Sequence, residues 1–392
     1  MSVSVIIPCF NQGHFLGEAI ESVLSQTYPS IEIIVVDDGS TDDTSEIAEA
    51  YSGVRCIKQD NKGLCDARLT GFSNSNGKFV LFLDADDRLP PKAIQYGMEA
   101  LACSPEAVFA FGGLRRISPH GSAIGERKQK VIQDFYLELL KDNYIPTPGM
   151  VLFKRSCFDE FEFFSGRFPA TADYELYLRV TRRRPVVSYS NCVVERRVHP
   201  ESMSKNAALM LRSVLKVHKG QLQHVKGRND FLEAYKEGRR FWKRWYGGQL
   251  AANLRWLRYQ REWAAFISGL GALLRLSPGQ LKNAISPARI SEAIYIDSDL
   301  NFEKVTRHSD LSEIYPKLLG VSQIFPKTKY QDKRDPNVII LSLNCENVHV
   351  GTRLLINGSP FESVFVNSNS MLVYVSKDIL SGNHRNKLQL IY

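Results

Sequence analysis

The sequence of 392 residues holds seven cysteines, scattered and with no paired spacing. That speaks against a disulfide framework or a cysteine zinc site and for a reducing compartment. No stretch approaches the ~20 consecutive apolar residues of a spanning helix. No leader-like segment precedes the first strand pattern, which opens at Val3. The expected location is cytoplasmic, with peripheral attachment to the inner face of the plasma membrane left open by the charge pattern described below. Internal repeats and low-complexity tracts are absent, and the length suffices for two or three domains.

What is present is most concentrated at residues 80–87, Val-Leu-Phe-Leu-Asp-Ala-Asp-Asp. Four apolar residues read as the end of a buried strand, and three carboxylates then fall within four positions. Desolvating that much like charge is unfavourable without a cation. A divalent ion is therefore expected, Mn²⁺ or Mg²⁺, which takes oxygen ligands and completes its shell with phosphate. An extended chain would put Asp84 and Asp86 on one side of the strand. A solvated acidic turn is the plain alternative.

The flanking pattern places this cluster in a fold. Val3–Pro8 is a β-branched run, and Phe15, Leu16, Ala19, Ile20, Val23 and Leu24 recur at helical spacing over 12–26. Ile31–Val36 is a second run, followed by Asp37-Asp38-Gly39-Ser40-Thr41-Asp42. Ser40 and Thr41 are N-cap types, predicting a helix over 42–51. Strands over 54–58 and 78–83 flank a helix over 62–74. This alternation specifies an α/β fold with a mostly parallel central sheet, whose ligands sit beyond the carboxyl ends of the strands.

These stretches resemble the family-2 inverting nucleotide-sugar glycosyltransferases of GT-A fold. The matching residues are Val5–Asn11, Ser25–Tyr28, Ile33–Asp42, Asn61-Lys62-Gly63 through Ala67-Arg68 to Gly71, and Phe82–Asp87. The resemblance covers about 2–205. It implies a sugar moved from a nucleoside-diphosphate donor, usually a UDP-sugar, to a hydroxyl of a glycan or lipid-linked acceptor, as in bacterial cell-surface polysaccharide or glycoconjugate synthesis. Pro8, Phe10 and Asp38 would then hold the nucleobase, with Asn11, Asn61, Gly63, Asp84 and Ala85 lining the nucleotide. An aromatic face can stack on a base and a carboxylate can accept its ring N–H. The family usually has Tyr at Phe10, so stacking is kept and one hydroxyl is lost. Arg68 would approach the diphosphate or base; a surface salt bridge is the alternative.

An inverting transfer needs a base for the acceptor hydroxyl. Thr171-Ala172-Asp173-Tyr174-Glu175-Leu176-Tyr177-Leu178-Arg179 resembles the family's acceptor-side helix, where Glu-Asp is common. Here Ala172-Asp173 keeps the proposed base and drops the Glu. Asp173 could instead serve the helix dipole, and Glu175 and Arg179 could line the acceptor pocket or form an i,i+4 pair. Arg197-Val198-His199-Pro200-Glu201-Ser202-Met203-Ser204 resembles the closing motif, in which His199 would reach the diphosphate or join Asp84 and Asp86 as a metal ligand.

Charge is uneven. From Arg239 to Arg275 eight Lys/Arg face one acid, Glu262, a local balance of +7 within a net +8. All four tryptophans (Trp242, Trp245, Trp256, Trp263) lie there, and Gly247-Gly248 is read as dividing two helices. Packing, a membrane interface and nucleic-acid binding are the three readings, the last without a supporting motif. Expected boundaries are a catalytic domain over 1–205, a basic aromatic helical segment over 206–276, an irregular connector over 277–335 and a small β domain over 336–392. Val350–Gly358 resembles the immunoglobulin-like IPT/TIG modules, with Asn357-Gly358 a hairpin signal.

Two other functions compete. A sugar-nucleotidyltransferase would carry a Gly-rich turn after the first strand, where Pro8-Cys9-Phe10-Asn11 stands. A non-catalytic nucleotide-sugar-binding protein would have little need of Asp84, Asp86 and Asp173 together.

Overall fold

The structure is a computed structural model. It describes residues 1–119, 121–127, 132–199, 203, 206–258 and 261–286 with their side chains, the backbone of Tyr259, and only strands beyond 286. Two compact units are present: Met1–Ile117 with Gly121–Arg197 and Ser213–Phe241, and Ser118–His120 with Val198–Arg212 and Trp242–Tyr392.

The first unit runs β1 Val3–Cys9, α1 Gly13–Leu24, β2 Ile31–Asp37, α2 Thr44–Glu49, β3 Val54–Lys58, α3 Leu64–Ser73, β4 Phe79–Phe82, α4 Ala93–Cys103, β5 Phe109–Ile117, β6 Ala123–Arg127, α5 Phe135–Lys141, β7 Val151–Lys154, α6 Cys157–Glu160, α7 Ala172–Thr181 and β8 Val187–Arg197. Strand order is β3-β2-β1-β4-β7-β5-β6, with β8 on β5. The expectation of a mostly parallel sheet holds for one half only. β1, β2, β3 and β4 are parallel, whereas β7 joins β4 antiparallel and β5 joins β7 and β6 antiparallel. The sheet is mixed.

All of β1 is buried, as befits a central parallel strand covered on both faces. Its register pairs Cys9 with Asp37 and Ile6 with Phe82, so three strand ends open on one edge. α1 covers the sheet with Leu16, Ala19, Ile20 and Val23. Beneath the far half lies an aromatic cluster: Phe82 meets Phe153, Phe158, Phe163 and Phe164 at 5.0–6.2 Å between ring centres. One of its rings, Phe164, lies under the Arg68 guanidinium.

Helices α8 Ala207–Val225 and α9 Asn229–Tyr259 each contribute to both units. Gly247-Gly248 does not divide two helices: α9 runs through it unbroken. A side chain on Gly247 would stand 2.5 Å from the Ser277 hydroxyl, so glycine here permits close approach by the turn after α10 Trp263–Leu276. The stretch read as an irregular connector contains α11 Leu281–Ile285 and strands Ile294–Asp297, Phe302–Lys304 and Lys317–Phe325. These strands enter two sheets with later ones, of five and four strands. Arg353–Ile356 pairs antiparallel with Ser359–Phe361. Residues 350–352 and 357–358 of the IPT/TIG-like stretch lie outside the described residues, as do 200–202 and 204 of the closing motif. Among the described residues no helix is long and apolar enough to cross a membrane.

Candidate active site

Loops after β1, β2 and β3 are tied by carboxylates. Asn11 sits in the left-handed region (φ 53°), which Asn tolerates through local hydrogen bonding. Its Oδ1 accepts from the Thr41 N–H at 2.8 Å and the Thr41 hydroxyl at 3.2 Å, and its own N–H donates to Ser40 Oγ at 2.9 Å. Ser40 and Thr41 therefore hold the β1 loop rather than capping a helix. Asp42 accepts from the N–H groups of Thr44 and Gly13 at 3.2 and 3.0 Å, and α2 begins at Thr44 after the N-cap Asp43, which makes no side-chain cap bond.

Asp38, buried after β2, accepts from Gln59 Nε2 at 2.7 Å, Lys62 N–H at 2.9 Å and Gly63 N–H at 2.8 Å. A carboxylate offers about four acceptor positions, so one remains. Gly39 turns the chain between them (φ 76°), and a Cβ there would come within 2.8 Å of the Asn61 nitrogen. Pro8 is buried, while Phe10 is 47% exposed, at the same edge, as an aromatic face available for stacking. Asn61 is exposed and Gly63 half-buried at the start of α3; Ala85 is buried in the acidic turn.

The acidic cluster is a turn and not an extended strand. β4 ends at Phe82, and the Asp87 N–H donates back to the Asp84 carbonyl at 3.0 Å. The turn brings a third carboxylate in: ligand oxygens of Asp84, Asp86 and Asp87 all lie within 4.8 Å of one another. The sequence offers Asp87 as one of the three carboxylates but names only Asp84, Asp86 and His199 as ligands, and His199 is not among the three. His199 is buried beyond β8, in the second unit. Asp87, 2% exposed, accepts from the Thr147 hydroxyl and the Arg197 N–H, both at 3.0 Å. Burial, then the neighbouring Asp86 and Asp84, push its carboxyl well above the ordinary range. Asp84 is pushed up by burial too, against the pull of Arg68.

Cations from distant parts of the chain act on this cluster. Arg68 on α3 is 3% exposed, pairs with Asp84 at 2.9 Å and lies over the Phe164 ring at 5.0 Å. It is no surface salt bridge, and its Nε has no partner. Arg196 on β8 acts on Asp84, Asp87 and Asp173 alike. No local motif in the sequence announced it. Arg197 donates its Nε to the Asp86 carbonyl at 2.9 Å and pairs with Glu18 at 2.8 Å.

Asp173 occupies the first turn of α7. Burial raises its carboxyl and Arg68 opposes the rise; Asp84 adds to it. Oδ1 accepts from the Tyr174 N–H at 2.8 Å. Tyr174 anchors the helix below, bonding the Leu139 carbonyl at 2.5 Å and His218 Nε2 at 3.0 Å. One turn on, the Tyr177 hydroxyl is buried without a partner; burial, and then the charge of Asp173, push it well above its ordinary range. Glu175 and Arg179 form the i,i+4 pair, at 2.8 Å.

Arg68, Asp84 and Asp173 thus influence one another at the carboxyl edge of the sheet. The three-carboxylate set fits a hard divalent cation: all donors are oxygen, and Asp84 and Asp87 are held above their usual range by burial first and then by neighbouring carboxylates.

Residues 4–161 match the family model described as Glycosyl transferase family 2. The uncharacterised glycosyltransferase RT0329 of Rickettsia typhi is 30% identical over 219 residues, 53% of this chain and 67% of that protein. The chain belongs to glycosyl transferase family 2. A glycosyltransferase of Rickettsia felis, also uncharacterised, is 31% identical over 215 residues; the chain spans about a third of that relative's length, 35%. Among solved structures, S. aureus TarS 1-349 in complex with UDP-GlcNAc superposes with a TM-score of 0.51 at 18% identity, covering 73% of this chain and 84% of that one. That likeness is one of fold, a mixed-sheet α/β architecture of the GT-A kind.

Proposed function

We propose that this chain is an inverting glycosyltransferase that moves a sugar from a nucleoside-diphosphate donor, a UDP-sugar, to a hydroxyl acceptor in the assembly of a bacterial surface glycan or glycoconjugate. The observation that carries this reading is the coupling of Asp173 to the Arg68–Asp84 pair beside a three-carboxylate turn. UDP-GlcNAc bound by TarS is consistent with such a donor.

The base would stack on exposed Phe10 and give its ring N–H to the remaining acceptor position of Asp38. Pro8, Asn11, Asn61 and Gly63 would shape the nucleotide side. Asp84 and Asp86, with Asp87 beside them, would hold Mn²⁺ or Mg²⁺, which when bound supplies positive charge at the diphosphate. Asp173 has its Oδ1 fixed by the Tyr174 N–H, leaving Oδ2 for the acceptor hydroxyl proton. Its raised carboxyl makes it a better base than an ordinary aspartate. As the acceptor oxygen bonds the anomeric carbon, the bond to the diphosphate breaks on the opposite face, and the proton ends on Asp173. The loop after β1 argues against a nucleotidyltransferase: Pro8-Cys9-Phe10-Asn11 stands where a Gly-rich phosphate turn would be needed. A catalytic domain over 1–205 fits this reading, because the last site residues are on β8. The acceptor, glycan or lipid-linked, would approach along α7.

The test is a thermal-shift screen of UDP- and GDP-sugars with and without Mn²⁺, followed by donor hydrolysis. A bound donor at a hundredfold excess over Kd stabilises by about 2.7 kcal/mol. No shift with any nucleotide sugar, with or without Mn²⁺, would sink the reading.

A further inference from the structure

The segment from Arg239 to Arg275 is sorted by the structure into a packed part and an exposed part. Trp242 is buried and stacks on Tyr246, at 5.6 Å and 9° between planes. Arg258 gives its guanidinium to the carbonyls of Ile285 and Ser286. Leu250, Ala251 and Leu254 of α9 form a core with Phe266 and Leu273 of α10 and Ala284 of α11. Packing therefore explains one side of α10.

It does not explain the other. Trp263, Ile267 and Leu274 are 54%, 67% and 47% exposed. At 100° per residue they fall within an arc of about 40° on α10. A surface helix ordinarily turns its apolar stripe to the core; α10 does so with Phe266 and Leu273 and presents a second stripe to solvent. Exposed Arg261 precedes that stripe and exposed Arg275 closes it, and no Asp or Glu occurs from Trp263 to Ser286.

We infer that this face of α10 docks on an anionic bilayer surface, with Trp263, Ile267 and Leu274 entering the interface and Arg261 and Arg275 meeting lipid phosphates. The occupant is chosen by the pattern. Large apolar groups in one row and flanking basic residues, against the single acid Glu262 at the helix N-cap, are what an in-plane interfacial helix needs. A nucleic acid would be served by the charge but would have no use for Ile267 and Leu274. At 14 residues the helix is about 21 Å long, too short to span a bilayer. The inference does not depend on the transferase reading, since no site residue lies on α10.

Co-sedimentation of the full chain with phosphatidylcholine vesicles, with and without phosphatidylglycerol, tests it at low and high salt. The parent should pellet with anionic vesicles at least about tenfold better than with neutral ones, and less at high salt. Arg261→Gln and Arg275→Gln should each weaken binding about fivefold. Ile267→Asp should abolish it while keeping circular dichroism and Tm, whereas Arg228→Gln, in the other unit, should change nothing. Equal pelleting with both lipids, binding that survives Ile267→Asp, or a lipid-free dimer in sedimentation velocity that Ile267→Asp dissociates would each overturn the inference. Donor binding, measured alongside, reports separately on the proposed function.

Discussion

Two groups of aspartates at the candidate site are held in opposite ways. Asp38 and Asp42 are wrapped in donors: between them they receive the N–H groups of Lys62, Gly63, Gly13 and Thr44. For Asp42, burial works against ionisation, but the Thr44 hydroxyl and those N–H groups still hold it below the usual carboxylate range. Asp84, Asp87 and Asp173 have few donors and one another for company, and burial raises all three. The first group builds loops. The second stores unfavourable charge that only a cation, a proton or a substrate relieves, which is where chemistry is to be sought.

The sharpest way to break this contrast is Asp173→Asn, which keeps shape and removes basicity. Sugar transfer should fall by about 10²–10⁴-fold, while UDP affinity by calorimetry stays as in the parent; transfer within about threefold of the parent would remove Asp173 from its role. Asp86→Ala comes next: the tightening of UDP binding by Mn²⁺ should vanish in titration calorimetry, and its persistence would displace the metal.

Asp87→Asn separates stability from function. A carboxyl raised in the folded state keeps its proton above the unfolded value of 3.8, so metal-free stability falls as pH rises from there towards the folded value. The Asn variant should show a shallower fall and a higher Tm at neutral pH, by about 2–4 °C for each kcal/mol relieved. Asp42→Asn should do the reverse. Its lowered carboxyl contributes stability above the unfolded value of 3.8 that is lost as pH falls, so the variant should lose about 1 kcal/mol at neutral pH and little in acid. Equal pH slopes for the two variants would erase the distinction between the groups. The smallest effect is Tyr177→Phe, which deletes a buried unpaired hydroxyl and should raise stability by about 1 kcal/mol in chemical denaturation.

Legibility followed the range of the interactions. β1 to β4 and α1 to α3 announce themselves because each is a continuous apolar run or a 3.6-residue period, and their ends fall within a few residues of the expected ones. The antiparallel half is hidden, since β7 is four residues long and its direction is fixed only by pairing with β4 and β5. Asp84, Asp86 and Asp173 could be picked from local sequence. Asp87 could not be assigned a place, because a turn and not an extended chain decides where it points. Gly247-Gly248 misled for a related reason: glycine marks close approach as readily as a break, and the neighbour that needs it, Ser277, is 30 residues away.

Arg197 has a consequence for how the molecule comes into being. Its backbone N–H holds the Asp87 carboxylate across 110 residues of chain, and its guanidinium holds the carbonyl of Asp86. Contacts of such separation are slow to form, because loop closure must precede them. During synthesis the acidic turn emerges long before β8, and until β8 docks its three carboxylates have Arg68 but neither Arg196 nor Arg197. A nascent chain that ends near residue 161, the limit of the family match, would have strands to pair and no finished site. Half a sheet folds early here; the candidate site is completed by β8.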